Sequence, residues 1–185
     1  MQVTQTHIPG VLLVEPKVFG DNRGYFMELW SSQRYAQHGV PASFVQDNLS
    51  RSARGVLRGL HLQHPYAQGK LVYVAAGEIF DVVVDVRRGS PSFGRWYGVT
   101  LSEENKRQLY IPPGCAHGFC VTSEAATFIY KCTEAYHPET ELTVRYDDPD
   151  IGIPWPVQSP TVSAKDAAGK LLRDIEPERL PSFAG

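Results

Sequence analysis

The chain has 185 residues, 42% hydrophobic and 21% charged, with a formal net charge of −2. That is an ordinary globular composition with enough length for one domain and a sizeable core, and it carries no global attraction to nucleic acid or an anionic membrane. No apolar run approaches the ~20 residues of a membrane span, the start MQVTQTHIPGVLLVEP lacks the basic head and long apolar stretch of a signal peptide, and Cys115, Cys120 and Cys132, an odd number without a CxxC pair, favour a reducing cytosol over a disulfide framework or zinc ribbon.

In chain order, the first element expected is a short helix in SSQRYAQHG, closed by Gly39 at a C-cap position. GVLRGLHLQHP (55–65) reads as a strand, although it carries an arginine and two histidines. In KLVYVAAGEIFDVVVDVR (70–87), Lys70, Val72 and Val74 share one face. After an Ala-Gly turn, Val82, Val84 and Val86 alternate with Asp81, Val83 and Asp85. RWYGVTL, QLYIPPG, AHGFCVT, ATFIYKCTEAY and TELTVRYDD continue the series. GIPWPVQSP is excluded from regular structure, because its prolines fix φ and remove donors. SAKDAAGKLLRD can form a turn or two of helix from an N-cap at Ser163. Many short strands separated by turn residues imply an all-β sandwich or barrel, with residues 1–185 as a single domain.

Arg87, Arg88 and the EENKR charges read as a solvated surface. Asp81 and Asp85 share a face, and alternation alone leaves them either bonded to Lys70 or His117 or exposed. Of the six histidines, His7, His38, His64 and His137 sit in surface-like contexts, whereas His61 lies among apolar neighbours and His117 follows the Pro-Gly turn of YIPPG. Gly55 six residues before His61, and Pro112-x-Gly114 before His117, resemble halves of the two cupin motifs. The metal-binding form is not matched: the second motif histidine is Gln63, HPYAQGK offers no glutamate, and Val121 stands where asparagine is expected. Two histidines and an amide make a poor set for zinc or iron, so no metal is expected and His61 is free to move protons.

FGDNRGYFMELW, FVQDNLS, GVLRGLHLQ, QGKLVYVAAGEIFDVVVDVRRGSPSFG, YIPPGCAHGF, YKCTEAYHPETE, DPDIGIPWP and SAKD, in this order from Phe19 to Asp166, together resemble the dTDP-4-dehydrorhamnose 3,5-epimerase family. The resemblance implies a cupin-like jelly roll with a few short helices, a cytoplasmic enzyme without cofactor, and a dTDP-linked 4-keto-6-deoxy sugar as substrate. It implies His61 as base backed by Asp166, Lys70 as holder of the enolate oxygen, and Tyr130 as acid. For binding it implies Arg23 and Arg58 at the diphosphate, Phe26, Glu28, Gln46 and Asn48 at the thymine, and His117 and Tyr136 as further pocket residues. It also implies a homodimer in which the segment around Arg23–Glu28 enters the partner's site. Arg58 poses a difficulty: strict alternation sets it opposite His61, and a bulge at Gly59 would bring both to one face. Alternatives that share the scaffold are an epimerase acting at C3 or C5 alone, a keto-isomerase, a metal-dependent cupin oxygenase and a sugar-binding cupin.

Overall fold

Alternating apolar and polar residues place most of the chain in strands. In the computed structural model, which describes residues 1–41 and 43–183, these are β1 (Gln2–Gln5), β2 (Leu12–Glu15), β3 (Val18–Asp21), β4 (Gly24–Met27), β5 (Gln46–Ala53), β6 (Leu57–Gln63), β7 (Lys70–Ala76), β8 (Glu78–Asp85), β9 (Trp96–Ser102), β10 (Gln108–Ile111), β11 (Cys115–Val121), β12 (Ala125–Cys132) and β13 (Glu141–Thr143). Two short helices, α1 (Ser32–Ala36) and α2 (Ala164–Ala167), complete the regular structure apart from single 3₁₀ turns. A six-stranded sheet, β1-β2-β10-β7-β12-β5, faces a five-stranded one, β13-β6-β11-β8-β9, and β3 and β4 form a separate hairpin. The expected all-β sandwich is what the chain forms.

Both faces of the central strands are buried, which is why β8 reads as a nearly continuous apolar run. Val72 and Val74 meet Val83, Phe119, Val121 and Phe128 between the sheets. The other face of the five-stranded sheet, with Leu60, Leu62, Val82 and Val84, is covered by Ile151, Leu172, Ile175 and Leu180 from the last third of the chain. Outside the six-stranded sheet, Leu12, Val14 and Leu71 pack on Tyr35 of α1 and on Val40. Each fully buried Val or Leu contributes about 1.5–3 kcal/mol.

The Ala-Gly turn does not close a hairpin. It carries the chain from β7 in one sheet to β8 in the other. Only glycine fits there, because Gly77 has φ +81° and a Cβ would lie 2.1 Å from the Ala125 carbonyl oxygen.

Arg87 corrects the surface reading of that arginine pair. It is buried, and its Nε donates to Asp85 Oδ1 at 2.8 Å. Alternation keeps Asp85 on the inward face, and Arg87, two residues on, follows it. The Ser90 and Ser92 hydroxyls also donate to Asp85 Oδ2. Burial would raise the Asp85 pKa, but these bonds hold the carboxyl below its ordinary value.

The β3–β4 hairpin was not legible as strands, since FGDNRGYF breaks the alternation with glycine and charge. α1 forms within the expected stretch, with Gly39 beyond it at φ +87°. α2 is a single turn whose Ser163 Oγ accepts from the Asp166 N–H at 3.1 Å. Among the described residues no helix is long and apolar enough to cross a membrane.

Candidate active site between the sheets

The site is built on the inward faces of the two sheets, near β6, β7, β11 and β12. On β6 the register slips: His61 stands opposite His117 of β11, yet Arg58, three residues earlier, stands opposite Phe119, only two residues on. One extra residue on β6 is a β-bulge. It falls at Gly59, as the face conflict required, and brings Arg58 and His61 to the same side. Gly59 has φ +132°, and a Cβ there would lie 2.5 Å from the Gly118 Cα. The two backbones therefore approach as only paired glycines allow.

The bulge also aims the Gly59 N–H at Asp166, whose Oδ2 accepts it at 3.3 Å. Asp166 Oδ1 lies 2.7 Å from His61 Nε2. An ionised carboxylate only accepts, so Nε2 carries the proton and donates. Nδ1 is left without a protein partner among the described residues. The imidazole side chain is 29% exposed and the carboxylate 5%, so the pair has a dry back and an open front. Burial alone would raise the Asp166 pKa; the His61 hydrogen bond, its field and the Gly59 N–H more than offset this and hold it below the usual range. Although it lies in the first turn of α2, Asp166 is buried.

Lys70 and Tyr130 reach the same space from the facing sheet. Tyr130 pairs with Val72, and Lys70, two residues before Val72 on β7, pairs with Cys132. Both side chains are half-buried. Lys70 has no carboxylate within ion-pair distance among the described residues. Burial pushes its pKa down, and the negative fields of Cys132, Glu141 and Asp81 offset this only in part. Burial raises the Tyr130 phenol. Phe128 links the sheets: its ring centroid is 5.9 Å from His117, stacked, and 5.5 Å from Tyr130.

The remaining expected residues divide. Gln46 and Asn48 lie on β5 beside β12, joined by a 3.0 Å bond from Gln46 Nε2 to Asn48 Oδ1. Arg58 is exposed, and its Nε donates to Ser52 Oγ at 3.2 Å. Tyr136 donates its hydroxyl hydrogen to Glu141 Oε2 at 2.6 Å. Arg23, Phe26 and Glu28 are not brought to this face of their own chain. They belong to the hairpin and its flank, where Phe26 shares a cleft with Tyr73, Ala75 and Ile129 on the outer side of the six-stranded sheet. Glu28 pairs there with Arg34.

Sequence reasoning missed Glu141 and Lys165, which pair at the rim. Glu141 sits opposite Gln63 on β13, two residues from the His61 position. The signal was present: Lys165 adjoins Asp166 in SAKD, and TELTV places Glu141 at a strand start. The undecided Asp81 is buried and paired with His117, not with a cation at the surface. Among the described residues no group of three or more His, Cys, Asp or Glu side chains converges as a metal site.

Comparison with known proteins agrees with this geometry. A family profile described as dTDP-4-dehydrorhamnose 3,5-epimerase matches residues 5–174. The dTDP-4-dehydrorhamnose 3,5-epimerase of Pseudomonas aeruginosa is 54% identical over 178 residues, covering 95% of this chain and 98% of that protein. That of Salmonella typhimurium is 55% identical over 175 residues, covering 93% and 96%. The crystal structure of a dTDP-6-deoxy-D-glucose-3,5-epimerase from Legionella pneumophila, in complex with dTDP-4-keto-L-rhamnose, superposes with TM-score 0.96 at 53% identity, over 100% of this chain and 99% of that one. The fold is thus the cupin-like β-sandwich of these enzymes. With the His–Asp pair open on one side and relatives matching nearly end to end, the chain belongs to the dTDP-4-dehydrorhamnose 3,5-epimerase family.

Proposed function

We propose that His61, Asp166, Lys70 and Tyr130 form the reacting end of this site, and that Arg58, Gln46, Asn48, His117 and Tyr136 hold the nucleotide sugar. The enzyme is an isomerase that inverts C3 and C5 of dTDP-4-dehydro-6-deoxy-D-glucose, giving dTDP-4-dehydro-L-rhamnose. Both protons flank the C4 ketone, so removal of either leaves an enolate. The observation that carries the assignment is the 2.7 Å His61–Asp166 contact with Nδ1 free. The lone pair on Nδ1 takes the proton, and the carboxylate stabilises the imidazolium that results.

Lys70 holds the oxygen of the enolate. The phenol of Tyr130, kept protonated by its burial, returns a proton from the other face of the sugar. Base and acid come from opposite sheets, which is the geometry inversion needs.

The diphosphate end relies on guanidinium forks. Arg58 is one; Arg23 is the other, supplied by a second copy of the chain with Phe26 and Glu28. The homodimer is supported by the hairpin's exposed apolar surface, with Phe26 69% and Tyr25 59% exposed. The three unpaired, buried cysteines suit a cytoplasmic setting, and on this reading residues 1–185 act as one domain.

The test is incubation of the enzyme with the keto sugar nucleotide in D₂O. Deuterium is expected at both C3 and C5. Label at one carbon indicates a single-site epimerase, a moved carbonyl a keto-isomerase, and no label a sugar-binding protein.

Two further outcomes are expected. Tyr130→Phe allows abstraction but impairs return, so deuterium washes in without inversion; normal inversion assigns the acid to another group. The kcat profile falls as pH rises through the Lys70 pKa, below the ordinary lysine range near ~10.4, because the charged form is the active one. Lys70→Arg keeps its charge and moves that limb to higher pH; an unmoved limb assigns it elsewhere.

A further inference from the structure

Asp81 is the buried charge that the mechanism above leaves unused. It is 0% exposed on the inward face of β8. Its Oδ2 lies 2.9 Å from His117 Nε2, while Oδ1 is sealed from solvent without a hydrogen-bond partner among the described residues. A buried carboxylate with one oxygen unpaired is costly to keep unless a nearby positive charge compensates it. The cation within its field is Lys70, across the gap from the facing sheet.

His117 is placed by the same contact. With Nε2–H donated to Asp81 and the ring stacked against Phe128 at 21°, Nδ1 is the edge turned to the site. That nitrogen has no protein partner among the described residues, yet it is not sealed from solvent.

We infer that Asp81 is a positioning residue: it holds His117 with Nδ1 toward the sugar and supplies the negative charge that balances the ammonium of Lys70. The inference rests on the site assignment above and adds a second carboxylate–imidazole pair beside the first, since His61 and His117 are register partners on adjacent strands. The second pair sits beside the oxygen-holding Lys70; its unprotonated Nδ1 accepts a hydrogen bond from a sugar hydroxyl and removes no proton from carbon. Three acidic groups face Lys70: Asp81 from β8, Cys132 from β12 and Glu141 from β13. Cys132 is a neutral thiol at moderate pH, with its pKa raised by burial, and Glu141 is already committed to Lys165 and Tyr136.

Asp81→Asn tests this. The amide oxygen can still accept from His117, so the main change is the lost charge. The expected result is a fall in kcat of about 10- to 100-fold, with dTDP affinity within about twofold. The alkaline limb of kcat should move down by about one pH unit. A variant with wild-type kcat and an unmoved limb reduces Asp81 to a structural role and overturns the inference. If the variant does not fold, the wild-type enzyme decides through ¹⁵N histidine spectra. His117 should appear as the Nε2–H tautomer, and its Nδ1 resonance should move on adding dTDP-glucose but not dTDP. An Nδ1–H tautomer, or a resonance indifferent to the sugar, also overturns it. Failure of the wild-type enzyme to exchange deuterium counts against the epimerase assignment instead, so the two are separable.

Discussion

Asp166→Asn is expected to lower kcat by about 10³- to 10⁴-fold while leaving dTDP affinity within about twofold. The Gly59 N–H donates to Asp166 Oδ2. In the variant that donor still demands an acceptor, so the amide oxygen is fixed toward Gly59. The amide NH₂ must then face His61 Nε2. A donor facing Nε2 forces the proton onto Nδ1, the nitrogen that has to take the substrate proton. A serine-protease triad with its aspartate changed to asparagine loses about 10⁴ in kcat for this reason, with geometry intact. His61→Ala removes the base outright and loses the ~10²–10⁴ of general-base help. Both variants should stop deuterium exchange at C3 and C5 together. Exchange surviving at one carbon indicates that a second base serves that centre. Measurement of kcat, dTDP affinity and label position on the same preparations separates lost chemistry from lost binding.

The second large effect is Gly59→Ala. The added Cβ would lie 2.5 Å from the Gly118 Cα and 2.9 Å from the His117 carbonyl oxygen, both backbone atoms, at φ +132°. Nothing flexible can give way. Strain and overpacking together should cost about 2–5 kcal/mol of stability. The activity loss should exceed what the stability loss explains, because the bulge sets three things at once: the Arg58 direction, the His61 direction and the Gly59 N–H to Asp166. A displacement of about 1 Å at a reacting group costs about 100-fold. Urea unfolding gives the first quantity, and kcat on the folded fraction gives the second. A variant with wild-type stability and kcat is incompatible with the close approach of β6 and β11.

How far the sequence could be read differs between the two halves of the site. Lys70, Val72 and Val74 fell on one face by simple alternation, and the structure keeps them there. Arg58 and His61 could not be placed by alternation, because a bulge changes the parity of everything beyond it. The glycine that permits it was visible, but whether the register slips is decided by the partner strand. Asp166 is the plainest case. In sequence it is a first-turn helix residue, a position that is usually exposed. It becomes buried only because α2 packs beside β6, bringing together residues separated by 105 positions. Arg87 errs the opposite way: a charged pair before a turn reads as solvated, but Asp85, itself held by two serine hydroxyls, draws it inward.

The sequence by itself determined most of the strand content, the shared face of Lys70, Val72 and Val74 and, through eight ordered motifs, the family. Those depend on local chemistry: side-chain period, turn residues and residue identity. The resemblance already paired Asp166 with His61; tertiary structure alone decided that Asp81 serves His117 and that the β3–β4 hairpin lies away from its own active face. Hydrogen bonds and charge pairing act over a few ångströms of space, and only the packing of α2 beside β6 and the pairing of β8 with β11 set those distances.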